Sequence, residues 1–134
     1  MKVFLKSTKD ELGYEGINSK GYIQNFSGSK NGVSPMESVL LAGAACSSID
    51  IELILQKMRQ PLINIEVEVN GIRKENEVPR VFQKIDLHYK LYGKIKEKKA
   101  KEAVEKSIEK YCSVLTMLQT TVEISYSFEI LNHE

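Results

Sequence analysis

The sequence lacks an excess of charge of either sign. Its 134 residues include 19 Lys and Arg against 18 Asp and Glu, which gives a formal net charge of +1. Proteins that bind nucleic acid or anionic membrane surfaces through charge present basic faces or tails. Here the two signs are interspersed, and no repeat or low-complexity segment appears. The composition therefore predicts no nucleic-acid partner and no highly charged substrate.

The chain also lacks the marks of export and of a membrane span. It opens Met-Lys-Val-Phe-Leu-Lys, without the long apolar run and small-residue cleavage site of a signal peptide. Its most apolar run, Val39 to Cys46, has eight residues, whereas a membrane helix needs about 20. We therefore expect a cytoplasmic protein with no membrane partner.

Cysteine is scarce, with Cys46 and Cys112 lying 66 positions apart. This separation matches no zinc-ligand spacing, while His88 falls on the polar side of a predicted strand and His133 in the last four residues. We therefore predict no metal site, and in a reducing compartment two free thiols. A buried cysteine is most often a small hydrophobe, so a packing role stays open for both residues.

One helix organises the chain, and the pattern places it at residues 34–59. Ser34, Pro35 and Glu37 have the form of a capping box, in which a hydroxyl and a carboxylate satisfy the first amides of a helix. Every residue from Val39 to Cys46 is apolar or small. A helix without a polar face must be surrounded by protein. The pattern predicts a central core helix with a cysteine in its most buried part.

The other segments alternate between the period of a strand and that of a helix. We predict short strands and a loop over 1–33, a strand hairpin over 61–93, a second helix over 95–119 and a final strand over 121–131. Cys112 is expected on the inward face of the second helix, on one stripe with Tyr111. Because strands joined by short turns pair antiparallel, the order indicates one α+β domain over 1–134 with both helices on one face of the sheet.

Three stretches resemble the OsmC/Ohr family, the osmotically inducible protein C and organic hydroperoxide resistance proteins. They read SPMESVLLAGAACSSIDIELILQKMRQ, PRVFQKIDLHYKLYG and AVEKSIEKYCSVLTMLQTTVEISYSFEI. The most specific parts are the segment from Pro35 to Cys46 and the Tyr111-Cys112 pair near the end of the second helix. The likeness runs over roughly Val33 to Ile130 and is strongest to a less well characterised OsmC-like branch.

The resemblance implies a fold and an assembly. Members have curved antiparallel sheets and a long central helix with a second helix, and two chains intertwine as a homodimer with the reactive pocket at their interface. The partner chain would then sheathe the central helix. This would explain why Val39 to Cys46 is apolar all round.

The resemblance also implies a reaction that needs no cofactor. Cys46 would attack an organic hydroperoxide and become a sulfenic acid, and Cys112 would capture it as a disulfide. A dithiol reductant, of the lipoyl type in relatives, would then restore both thiols. An apolar pocket favours organic peroxides over hydrogen peroxide because a buried alkyl tail gains about 25 cal/mol per Å².

Two features of catalytic members are missing here. They carry an arginine near the N-terminus and a glutamate directly after the helix-opening proline, whereas this chain has no arginine before Arg59 and has Met36 at that position. Glu37 and Arg80 are candidate supporting residues, although a shift of one residue turns a helical side chain by about 100°. The alternative is a non-catalytic OsmC-like module that binds a small apolar or electrophilic ligand at the dimer interface.

Overall fold

A computed structural model describes residues 1–132, so His133 lies outside the described residues. The chain forms two compact units, Met1–Val39 and a larger unit that starts at Leu40. The first unit is an antiparallel meander of β1 (Val3–Ser7), β2 (Gly13–Asn18) and β3 (Ile23–Ser27). Turn signals between the short apolar runs predicted this meander. The assignment of residues 1–134 to one domain stays a prediction.

The central helix, α1, spans Pro35–Lys57 and begins at the predicted capping box. The Glu37 amide donates to Ser34 Oγ over 3.1 Å, and the Ser34 amide donates to Glu37 Oε1 over 2.9 Å. This reciprocal pair satisfies amides that the first turn leaves without helical partners. The hydrogen bond from the Ser34 backbone lowers the pKa of Glu37.

The second sheet consists of β4 (Leu62–Arg73), β5 (Phe82–Gly93) and β6 (Glu123–Leu131), with β5 in the middle. The hairpin β4–β5 is antiparallel as predicted, but β6 pairs parallel to β5. The expectation of antiparallel sheets throughout was therefore wrong for this strand. A helical crossover joins β5 to β6, and such a connection returns the chain in the same direction.

The predicted second helix is interrupted. It consists of α2 (Glu97–Lys106), a π-helical turn (Ser107–Tyr111) and α3 (Ser113–Leu118), with Cys112 in extended backbone between the last two. The Cys112 amide donates to the carbonyl of Ser107 over 2.7 Å, which closes the wider turn. The extra residue in that turn shifts the helical face. Tyr111 is consequently 50% exposed, and its predicted inward position was wrong, whereas Cys112 is fully buried.

The core of the larger unit lies between β5 and the helices. Its fully buried or nearly fully buried apolar side chains are Ile51, Leu55, Ile85, Leu87, Tyr89, Leu91, Ala100, Ala103, Val104, Ile108 and Leu115. They come from α1, from alternate positions of β5 and from the crossover helices. One face of α1 is thus a core face.

The opposite face of α1 is apolar and exposed in the single chain. Leu41, Ala45, Ile49 and Leu53 follow one another at intervals of four, and Leu41, Ile49 and Leu53 are 55%, 58% and 51% exposed. We call these four residues the α1 stripe. Residues four apart lie on one helix face, so the stripe is a continuous apolar surface that the described chain leaves uncovered.

Helix α1 is also long and apolar enough to cross a membrane by length and composition alone, with a mean hydropathy of 1.7 over 18 residues. A core helix of a soluble protein passes the same test. Ser47, Ile51 and Leu55 are fully buried within the chain, as expected of a core helix. The run from Val39 to Cys46, which was predicted to hold the most buried part, is instead largely exposed or half-buried in the single chain because the α1 stripe passes through it.

Candidate active site

The fold brings the two cysteines together. The Sγ atoms of Cys46 and Cys112 and a carboxylate oxygen of Asp50 all lie within 4.8 Å of one another. Cys46 and Asp50 lie on α1, one turn apart, and Cys112 lies where the crossover helix is interrupted. Residues 66 positions apart in sequence therefore share one site.

A buried hydrogen-bond network fixes the elements that carry the cysteines. Ser107 Oγ, at the start of the π turn, donates to the carbonyl of Ser47 over 2.7 Å. Ser47 Oγ is in turn hydrogen-bonded to the hydroxyl of Tyr89 on β5. All three residues are fully buried. Because each satisfied polar group removes a desolvation cost, the network holds α1, β5 and the π turn in one arrangement.

A glycine lets α1 approach α3 closely. A Cβ atom at Gly43 would lie 2.9 Å from Cδ2 of Leu115, closer than carbon atoms pack. Gly43 precedes Cys46 by three residues, and Leu115 follows Cys112 by three. Gly43 thus allows the close packing of α1 against α3 that brings the two thiols together.

The two thiols differ in access. Cys46 is partly exposed, whereas Cys112 is fully buried. Burial raises the pKa of the Cys112 thiol to about 11 and outweighs the opposite effect of the Leu115 amide, which donates to its sulfur over 3.5 Å. Burial likewise raises the pKa of Tyr89 to about 12. Cys112 is therefore a protonated thiol at neutral pH, and Cys46 is the thiol within reach of a ligand.

Asp50 is a site residue to which the sequence patterns assigned no functional role. The sequence indicated that its charge would disfavour a Cys46 thiolate unless its side chain faced elsewhere, and the structure turns it toward both sulfurs. Within residues 1–132 its carboxylate forms no ion pair or hydrogen bond. Asp50 follows Cys46 by four residues on a predicted helix, and this spacing was the sequence signal that places the two side chains on one face. No sequence pattern indicated the hydrogen bond between the hydroxyls of Ser47 and Tyr89.

The candidate supporting residues, Arg80 and Glu37, are not among the three side chains that meet at the cysteines. Arg80 is exposed in the connection before β5, where its Nε donates to the carbonyl of Lys74 over 3.2 Å. Along β5, Tyr89 lies seven positions beyond Phe82, which is roughly 23 Å at the rise of a β-strand. Glu37 is engaged with Ser34 in the capping box. The part that either residue plays in the chemistry stays a prediction.

The described histidine does not join the cysteines. His88 Nδ1 is hydrogen-bonded to Ser127 over 2.7 Å, and its Nε2 lies 3.3 Å from Glu129. Among residues 1–132, the group of side chains close enough to share a metal ion is Cys46, Asp50 and Cys112. A Cys46, Cys112 and His88 set, which the sequence spacing did not support, is not assembled.

A groove of about 350 Å³ opens beside Asp50. Its lining comprises Asp50, Leu53, Ile54, Lys57, Met58, Lys106 and Tyr111. The walls are largely apolar, and the two lysines supply its positive charge. A small organic molecule could therefore enter next to the carboxylate of the site.

Comparison with known proteins gives consistent results. A family model described as OsmC-like protein matches residues 28–127. Protein YhfA of Escherichia coli strain K12 is 46% identical over 99 residues, which are 73% of each chain. A solved structure of a hypothetical protein from Aquifex aeolicus VF5 is similar with a TM-score of 0.89 and 32% identity, covering 99% of this chain and 97% of that one.

A more distant likeness concerns the fold alone. The organic hydroperoxide resistance protein OhrB of Bacillus subtilis has a TM-score of 0.66 to this chain at 16% identity, over 96% of this chain and 98% of that one. The fold of this chain is therefore one that known structures share.

Proposed function

Because this chain belongs to the OsmC-like protein family, we propose that it is a thiol-dependent peroxidase that reduces organic hydroperoxides in oxidative-stress defence. The observation that carries the proposal is the approach of the Cys46 and Cys112 sulfurs to within 4.8 Å. A disulfide needs an S–S distance of about 2.05 Å, so a shift of a few ångströms at most would join them. A cytoplasmic location is part of the same proposal.

The proposed cycle has three steps. The Cys46 sulfur attacks the terminal oxygen of the hydroperoxide, the O–O bond breaks, and the alkoxide leaves as an alcohol after taking up the thiol proton. Cys46 is then a sulfenic acid. The Cys112 sulfur attacks the Cys46 sulfur, water leaves, and a disulfide forms. A dithiol reductant of the lipoyl type returns both thiols by thiol–disulfide exchange.

Access supports this division of roles. A peroxide must reach the attacking sulfur, and Cys46 is the partly exposed member of the pair. Cys112 is enclosed and protonated, which suits a thiol that reacts only with a sulfenic acid formed beside it. In that second step the hydroxide that leaves the Cys46 sulfur takes up the Cys112 proton and departs as water, so no separate base is required.

We propose that the protein works as a homodimer whose interface covers the α1 stripe. A lone chain would expose Leu41, Ile49 and Leu53 on one face of its central helix. Contiguous apolar surface of this kind marks an interaction site. Ala45 of the stripe is adjacent to Cys46 in sequence, so a second chain there would also enclose the thiol in apolar surroundings that favour organic peroxides.

A second function is favoured by one observation, the Asp50 carboxylate. The peroxidase cycle assigns no role to this carboxylate, which lies beside both sulfurs and, within residues 1–132, forms no ion pair. The chain could therefore be a non-catalytic OsmC-like module that binds a small apolar or electrophilic ligand at the dimer interface. Both functions use the same pocket, and only thiol chemistry separates them.

Turnover tests the proposed function. Reduced protein supplied with dihydrolipoamide should consume many equivalents of cumene hydroperoxide, at a kcat/KM at least about tenfold above that for hydrogen peroxide, because the apolar tail adds about 1.4 kcal/mol or more of binding. Loss of peroxide is followed colorimetrically, with the Cys46→Ser variant as the control for uncatalysed reaction. Consumption no faster than in that control, for both peroxides, would favour the binding module.

A further inference from the structure

The site has the donor atoms of a metal centre. Two sulfurs and one carboxylate oxygen lie within 4.8 Å of one another, on three side chains held by packed helices. In a tetrahedral zinc site the Zn–S bonds are about 2.3 Å, which places two sulfurs about 3.8 Å apart. The present separation exceeds that value by at most about 1 Å. Rotation of the side chains could close this difference without rearranging the backbone.

The carboxylate supplies an independent reason to look for a cation. Asp50 is only partly exposed, and within residues 1–132 it has no ion pair and no hydrogen bond. A negative group beside two sulfurs that can also carry negative charge is unfavourable without a positive partner. A bound cation would stabilise all three groups together.

The donors also select the kind of cation. Mg²⁺ and Ca²⁺ prefer sets of oxygen ligands, whereas two thiolates favour a thiophilic ion such as Zn²⁺. Three protein ligands leave the fourth tetrahedral position to water or another small ligand. Sequence spacing failed to indicate this set because its ligands come from one helical turn of α1 and from a distant interruption in the crossover helix.

We propose that the reduced chain binds one Zn²⁺ through Cys46, Asp50 and Cys112. The bound ion occupies both thiols, so the metal and a peroxide compete for the same sulfurs. Oxidation to the disulfide removes two of the three ligands and releases the ion. With diamide as the oxidant, the two thiolates give up two electrons, the diamide takes these electrons and two protons from water, and Zn²⁺ leaves.

The test uses the full reduced chain under anaerobic conditions. Titration with Co²⁺ should reach one ion per chain and give the thiolate-to-cobalt charge-transfer absorption and intense visible bands of a tetrahedral site. Competition with a chromogenic chelator then measures Zn²⁺ affinity. Cys46→Ser and Cys112→Ser should abolish the charge-transfer signal of a two-thiolate site, and Asp50→Asn should weaken Zn²⁺ binding at least about tenfold. Glu52→Gln, an exposed carboxylate on the same helix, should leave it unchanged.

Oxidised wild-type protein provides a test that does not depend on how the variants fold. Diamide should release the bound Zn²⁺ in step with disulfide formation, and reduction should restore binding. Zn²⁺ binding that survives oxidation or either cysteine substitution would place the ion elsewhere and overturn the proposal, as would equal affinities for Asp50→Asn and Glu52→Gln. None of these measurements contains a peroxide, so failure to bind Zn²⁺ would leave the peroxidase proposal standing. Failure to reduce peroxides would likewise leave the Zn²⁺ proposal standing.

Discussion

Replacement of Cys112 by serine is expected to leave a protein that reacts with one equivalent of cumene hydroperoxide but does not complete the cycle. Cys46 keeps its partial exposure and should form a sulfenic acid. Without a resolving thiol that acid persists, so dimedone should trap it and excess peroxide should carry it to the sulfinic acid. Mass spectrometry of the intact chain distinguishes these adducts. Turnover with a dithiol should fall at least about tenfold.

Replacement of Cys46 by serine is expected to have the opposite effect. The remaining thiol is fully buried, and burial raises the pKa of Cys112 to about 11 from an ordinary value of 9.0. At neutral pH such a shift reduces the thiolate population about 100-fold, because each pKa unit is a factor of ten. Cys112 should therefore show neither a dimedone adduct nor a measurable reaction with one equivalent of peroxide.

The asymmetry between the two variants is the informative result. Circular dichroism and thermal unfolding of both proteins control for damage to the fold, since Cys112 packs in the core. Equally slow reaction of the two single variants, at the rate of an unactivated thiol, would contradict the assigned roles. It would support the binding module, in which Cys46 and Cys112 are packing residues.

Introduction of a charge into the α1 stripe is expected to dissociate the homodimer. Ile49 is 58% exposed in the single chain and lies in the middle of the stripe. Burial of such a side chain contributes about 1.5 to 3 kcal/mol, and a two-fold interface counts it twice. Ile49→Glu should raise the dissociation constant at least about 100-fold, before any cost of burying the new charge. Sedimentation velocity over a concentration series measures it.

Gln83→Glu is the matched control because it adds the same charge to an exposed position of β5, away from α1. Its dissociation constant should stay within about threefold of the wild-type value. A wild-type chain that sediments as a folded monomer at micromolar concentration would contradict the dimer proposal directly. Equal effects of the two substitutions would show that added negative charge in general, rather than its place in the stripe, governs association.

Sequence patterns predicted those parts of the fold whose causes are local. The capping box at Ser34 and Glu37 is visible within four consecutive positions, and the β4–β5 hairpin follows from strict alternation on both sides of a polar turn. In each case the physical cause acts over a few residues, and the residues themselves display it.

Other parts depend on contacts between distant segments. The spacing of apolar residues through Ser107–Tyr111 is that of a regular helix, and nothing in it marks the π turn. The exposure of Tyr111 therefore could not be predicted from periodicity. The parallel pairing of β6 depends on where the crossover returns the chain. The approach of Cys112 to Cys46 came from the family resemblance, and Asp50 was known only as a neighbour of Cys46 on α1.

Disulfide mapping of the wild-type chain after one equivalent of cumene hydroperoxide tests the central claim most directly. The reduced protein is treated with the peroxide, blocked with an alkylating agent and digested without reductant. The digest should contain a single disulfide-linked peptide pair, which joins Cys46 to Cys112. The intact mass of each chain should fall by two hydrogens. Recovery of both cysteines as alkylated thiols, or of disulfides between chains in place of the Cys46–Cys112 bond, would contradict the claim that these residues form a redox pair.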